Sequence, residues 1–102
     1  MTRQRLPNRR AARAFTFLHG GLPYRAHVGF FADGSPAELF LDGKPDSAVD
    51  AFAADGAILI SLLLQHGATV AEIGHAVRRT PNGEAASPIG AALDQLAAEC
   101  EP

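Results

Sequence analysis

The sequence predicts an α+β domain in which a three-stranded antiparallel meander packs against one long helix, followed by two shorter helices. Apolar residues alternate with a period of two before residue 43, which is typical of half-buried strands. They recur at helical spacing after residue 47. A chain of 102 residues can bury one core but not two, so we expect a single domain.

The strands are predicted over residues 14–19, 24–31 and 37–42. Each segment places its apolar side chains on one face. These side chains are Phe15, Phe17, Tyr24, Ala26, Val28, Phe30, Leu39 and Leu41. Gly20-Gly21 and Asp33-Gly34 lie between the segments, where a hairpin requires positive φ. The three strands are therefore expected to form consecutive hairpins.

A long helix is predicted to begin at Ser47, because Ser47 and Asp50 resemble a capping box. Its predicted inward stripe consists of Val49, Phe52, Ala53, Gly56, Ile60, Leu63 and Leu64. Residues 57–64 contain only Ser61 as a polar side chain, which predicts that the second half of the helix is enclosed on most sides. Gly67 is expected to end the helix in a left-handed conformation.

Two further helices are predicted from their start signals. Thr69 and Glu72 form a second capping-box pattern, with Ile73, Ala76 and Val77 expected to face inward. Ser87 followed by Pro88 predicts the third start, since proline at the first helical position loses no hydrogen bond. The buried stripe of that helix is predicted to be Ile89, Leu93, Leu96 and Ala97.

The charges are distributed unevenly along the chain. Residues 1–13 contain five of the nine basic residues and no acidic residue, whereas residues 14–102 contain four basic and eleven acidic residues. We therefore divide the chain into an Arg-rich N-terminal arm, 1–13, and one α+β domain, 14–102. The arm is expected either to meet a partner surface or to pack on its own acidic domain.

Composition also restricts the cellular setting. Cys100 is the only cysteine, which excludes an intramolecular disulfide and favours a reducing compartment. The uninterrupted apolar run 57–64 is much shorter than a bilayer span. We therefore expect a cytoplasmic protein without a membrane partner.

A spaced series of motifs runs through most of the chain. It begins at Leu6-Pro7-Asn8-Arg9-Arg10 and continues through Gly29-Phe30, residues 38–42 with Lys44, residues 61–67 and Asn82-Gly83. This series resembles the C-terminal region of adenosylcobalamin-dependent (class II) ribonucleotide reductases, and it is similar to the TSCPD domain. The residues 85–89, where that family places its cysteine motif, contain no cysteine.

The resemblance implies an accessory or binding module and not a reductase. The catalytic barrel, with its radical-forming cysteines and cobalamin site, has no counterpart in this sequence. The partners that the resemblance implies are a second copy of the chain, a ribonucleotide reductase or a nucleotide-like ligand. No cofactor is predicted.

Two groups of residues are candidates for anion binding. Asn8, Arg9 and Arg10 can clamp a carboxylate or phosphate bidentately. Lys44, Ser47 and Asp50 surround a predicted helix N-terminus, a place that favours anions. Nucleic-acid binding by the arm is an alternative, but it is disfavoured because the domain is acidic and no aromatic residue lies among the arginines.

No catalytic or metal-binding residues are predicted. The four histidines lack metal-ligand spacing, and Ser61 lacks the flanking motif of a nucleophile. Turn chemistry and a solvated strand face account for Asp33, Glu38 and Asp42. The sequence therefore favours a homo-oligomeric or partner-docking module, with 58–64 as the candidate dimerisation surface. The alternative functions are a small-ligand (nucleotide) sponge or regulator and a nucleic-acid-binding protein.

Overall fold

A computed structural model describes Arg3, Leu6, residues 11–43 and residues 47–100. The described elements are β1 (Ala12–His19), β2 (Leu22–Phe30), β3 (Pro36–Asp42), α1 (Ala48–Gln65), α2 (Val70–Ala76) and α3 (Pro88–Cys100). The strands form one antiparallel sheet in the order β1-β2-β3. The predicted fold class is therefore confirmed. β1 begins at Ala12, so the last two residues of the predicted arm belong to the sheet.

One face of the sheet carries the core, as the alternation predicted. Phe15 pairs with Ala26, and Ala26 pairs with Leu41, so these side chains lie in one row across the three strands. Ala26 and Leu41 are buried and Phe15 is partly buried. The opposite face is open, and Leu18 and Phe40 on it are exposed. The sheet therefore packs on one side only.

The turns follow the predicted chemistry. Gly20 and Gly21, with φ of 59° and 77°, form the two-residue connection between β1 and β2. In the next loop, a carboxylate oxygen of Asp33 accepts from the backbone N–H of Ser35 at 2.9 Å and from its hydroxyl at 2.6 Å. These bonds lower the pKa of Asp33, since they favour the charged carboxylate. Asp33 is thus a turn residue.

The helices close the core from one side. α1 lies along β3, while α3 covers β1 and also contacts α1 and α2. The side chains that form the core are Ala26, Val28, Leu39, Leu41, Ala53, Ala57, Ile60, Leu64, Val70, Ile73, Ala92, Leu93 and Leu96. Gly56 lets the helices approach, because a Cβ there would lie 1.9 Å from Cδ1 of Ile89. The layer of helices on the sheet is therefore tightly packed.

The helix boundaries confirm the local signals. Ser47 caps α1, and Thr69 with Glu72 forms a complete capping box for α2. After α1, the N–H of Ala68 donates to Leu63 O and that of Gly67 donates to Leu64 O, the two bonds of a Schellman motif. Gly67 has the positive φ, 102°, that this motif requires.

Two predictions about buried stripes are wrong. Val49, Phe52 and Leu63 were assigned to the inward side of α1, but all three are exposed. The second half of α1 is also not enclosed on most sides, since Ile58 and Leu59 are exposed as well. On α2, Ile73 is buried and Val77 is partly buried at the helix end, but Ala76 is exposed. On α3, Leu93 and Leu96 are buried as predicted, Ile89 and Ala97 are only partly buried, and Ala92 is buried in addition.

A guanidinium fork joins the segment after α2 to α3. Arg79 donates two hydrogen bonds of 2.6 Å to the two carboxylate oxygens of Asp94. Arg79 also donates to Gly74 O at 3.1 Å, so one side chain connects α2, the loop and α3. The bidentate contact lowers the pKa of Asp94. Protonation of Asp94 should therefore weaken this connection.

We expect Asp94→Asn to flatten the acid side of the stability profile. The folded-state pKa of Asp94 lies below its ordinary value of 3.8, so its stabilisation is present at neutral pH and is lost as pH falls from about 5 through that folded pKa. Thermal unfolding followed by circular dichroism between neutral pH and acid measures the profile. Arg79→Ala is the matched variant, because it removes the cause of the shift and should flatten the same range. Profiles parallel to wild type in both variants would contradict this account.

Candidate interaction surface on helix α1

β3 is an edge strand, and its outer edge must find hydrogen-bond partners outside the sheet. Residues 38–42 of β3 lie opposite β2, and in an antiparallel ladder only every second residue exchanges hydrogen bonds with the neighbouring strand. The other residues direct their backbone N–H and C=O groups away from β2, and Leu39 and Ala37 belong to this set, because their backbone groups bind α1. An unpaired strand edge that is buried would be costly.

Polar side chains of α1 satisfy this edge. The hydroxyl oxygen of Ser61 accepts from the N–H of Leu39 at 2.8 Å and lies 3.0 Å from both Leu39 O and Ala57 O, either of which can accept its proton. One turn later, Gln65 donates to Ala37 O at 3.1 Å. Ser61 and Gln65 are both buried. The two side chains thus take the place of a fourth strand.

The face of α1 that carries Ser61 and Gln65 is also bound by hydrogen bonds near both ends of the helix. Near its start, a carboxylate oxygen of Asp50 accepts from the N–H of Gly43, directly after β3, at 2.8 Å. At its end, Arg3 of the N-terminal arm donates to the side-chain oxygen of Gln65. Arg3 therefore contacts its own domain. The rotation of α1 about its axis is fixed by polar contacts along its whole length.

The opposite face of α1 is consequently directed away from the core. It carries large apolar side chains that no described element covers. They are Val49, Phe52, Ile58, Leu59, Leu62 and Leu63, and we call this set the outer face of α1. Phe52 is 72% exposed and Leu59 is 61% exposed. Asp55 lies between these side chains and is the one charged residue on this side of α1.

The exposed apolar area of the outer face is larger than that of a few isolated leucines on a surface. Its six side chains expose on the order of 600 Å² in total, if each offers about 200 Å² when fully exposed. The largest apolar patch on a typical monomer covers about 300–600 Å² and is often functional. Leu59, Leu62, Leu63 and His66 also line a shallow groove of about 390 Å³. A continuous contact surface follows.

α1 also passes the length and composition test for a membrane-spanning helix, with a third of it buried. This differs from the expectation based on residues 57–64, because the whole helix of 18 residues is considered and not its longest uninterrupted apolar run. The core helix of a globular domain passes the same test. Here Asp50, Ser61 and Gln65 bind the backbone at or next to β3, so α1 is an integral part of the domain described.

The predicted anion sites are only partly within the described residues. Asn8, Arg9, Arg10 and Lys44 lie outside them. The hydroxyl of Ser47 accepts from the N–H of Asp50 at 3.0 Å, and the carboxylate of Asp50 binds Gly43. The start of α1 thus already has a carboxylate of its own. Anion binding at either group stays a prediction.

A cavity lies between the β2–β3 loop, the α1–α2 junction and α3. It measures about 380 Å³, and its walls include Phe31, Leu64 and Val70. Of the described residues, those that line it carry no charge. The hydroxyl of Thr69 in its wall already accepts from Glu72 N. Within the described ranges, no group of three His, Cys, Asp or Glu residues could hold a metal ion.

Comparison with known proteins returned no match to any family model, curated protein or solved structure.

Sequence reasoning found part of this surface and missed the rest. Residues 58–64 were named as a candidate dimerisation surface, and Ile58, Leu59, Leu62 and Leu63 are exposed there. Val49 and Phe52 were assigned to the core instead. The signal that separates the two faces is the pair Ser61 and Gln65, four residues apart and therefore on one side of the helix.

We expect Ser61→Ala to lower the free energy of unfolding by about 1–3 kcal/mol, because it leaves the edge of β3 at Leu39 without its partner. The measurement is the denaturant midpoint, with an unchanged m-value showing that the unfolded state is the same. Ser35→Ala is the control. It removes an exposed hydroxyl of the turn and should cost less. Equal effects of the two variants would contradict the edge-capping role.

Proposed function

We propose that this chain is an assembly module that associates with a second copy of itself through the outer face of α1. The observation that carries the proposal is the exposure of six large apolar side chains on one side of a helix whose other side is fixed to β3. Exposing such a patch to water is unfavourable, and covering it supplies the driving force for association.

The size of the outer face supports a protein partner. A standard interface buries about 800 Å² on each partner, with an apolar centre and a more polar rim. The outer face supplies the apolar centre, and Asp55 and His66 supply polar groups beside it. A second copy of the chain supplies a partner surface of the same kind, because the same patch on both chains forms a two-fold, self-complementary contact.

The kinship inferred from the sequence gives this module a biological setting. An accessory region related to the C-terminal part of class II ribonucleotide reductases would act by assembly and not by chemistry. Ribonucleotide reductase or a nucleotide-like anion is then a further partner of the assembled form.

Leu59→Glu should convert the assembled form to a monomer. A charge in the centre of the contact should weaken association by at least about 2 kcal/mol, or roughly thirtyfold in Kd. Analytical ultracentrifugation of wild type and variant over a wide concentration range measures the change. Leu18→Glu is the matched control, since Leu18 is 74% exposed but lies on the open face of the sheet. We expect Leu18→Glu to assemble like wild type.

Three outcomes would overturn the proposal: a wild-type chain that stays monomeric at high micromolar concentration, equal loss of assembly in both variants, or binding to lipid vesicles by a monomeric wild type. The circular dichroism spectrum of each variant shows that it is folded. Residue 59 is exposed, so the charge should not disturb the core.

A further inference from the structure

Residues with a regular spacing form a stripe, which we call the seam, on the side of α1 that carries the outer face. Ala48, Phe52, Asp55, Leu59, Leu62 and His66 follow one another at intervals of four, three, four, three and four residues. This 3.5-residue period places them in a stripe that can face another helix along its length, as the a and d positions of a heptad repeat do. The seam therefore indicates a helical partner for α1.

Because the proposed function supplies a second copy of the chain, the partner helix is its α1, and we infer that the two helices pack antiparallel with Asp55 of each chain opposite His66 of the other. In this register Leu59 of one chain lies opposite Leu62 of the other. The contact then has two central leucine layers, flanked on each side by a layer of Asp55 and His66. Each layer joins an a position to a d position.

Charge favours this orientation. A parallel pair in register would place Asp55 against Asp55, and like charges in contact oppose association. The antiparallel pair separates the two carboxylates and gives each an imidazole, which can donate a hydrogen bond or carry a positive charge. The helix dipoles also run in opposite directions. The arrangement of one acid and one histidine at the two ends of an apolar seam is thus self-complementary.

Cysteine cross-linking tests the register directly. In a Cys100→Ser background, Leu59→Cys and Leu62→Cys chains of different length are mixed and treated with oxidised glutathione (the disulfide form), which is the oxidant. Disulfides form where Cα atoms approach to about 4.4–6.8 Å. We expect the amount of the disulfide-linked 59–62 heterodimer to be at least three times that of either homodimer, 59–59 or 62–62. Random pairing of equal amounts of the two chains would give a ratio of two. Leu18→Cys in the same background is the control and should not cross-link efficiently.

The outcomes of this experiment separate the register from the proposed function. If the mixture sediments as a dimer but homodimeric disulfides dominate, or no disulfide forms, the antiparallel register is wrong while self-association stands. If the reduced wild-type chain is monomeric, the proposed function fails first. Efficient cross-linking through Leu18→Cys would move the contact to the sheet and overturn both.

Charge exchange gives a second, independent measurement. Asp55→Lys should weaken the dimer roughly three- to tenfold, because a lysine cannot accept a hydrogen bond from His66 and the Asp55–His66 contact is lost in both outer layers of the dimer. Adding His66→Glu to that variant restores opposite charges in both layers and should recover most of the affinity. Sedimentation of the three chains measures this. No recovery in a double variant that remains folded would contradict the pairing of Asp55 with His66.

Discussion

The arrangement of the domain depends on the need to cover the outer edge of β3. Backbone groups of Leu39 and Ala37 are directed away from the sheet and are buried, so each requires a hydrogen-bond partner. Ser61 and Gln65 supply those partners from consecutive turns of α1. Apolar packing alone does not select one side of a helix that has apolar residues all round, whereas these hydrogen bonds have one geometry. They fix which side of α1 faces the protein.

That constraint divides α1 into two apolar faces. Ala53, Ala57, Ile60 and Leu64 pack into the core, and small side chains among them let the helix lie close to β3. The side chains of the outer face have no such role inside the domain. Their apolar character costs solubility unless another surface covers them. The two faces thus serve two separate packing requirements within one helix.

The sequence predicted what local chemistry decides. Strand alternation, the capping box of Thr69 with Glu72 and the left-handed Gly67 depend on neighbours a few residues away, and the structure confirms each. The phase of α1 depends on its contact with β3, which is distant in sequence. With apolar residues all round the helix, periodicity cannot choose a face, so Phe52 was assigned inward although it is exposed. Only Ser61 and Gln65 carry that information.

The same constraint bears on the dimer proposed above. α1 occupies the β3 side of the sheet, whereas among the described residues no strand pairs with the outer edge of β1. A two-fold contact between α1 helices uses the same patch on both chains and therefore closes at two. Pairing through the outer edges of β1 would instead join the two sheets into one, which would end at the β3 edges that α1 already covers. A dimer closed through its two α1 helices would thus cover the outer face of α1 without a continuous sheet between the two chains.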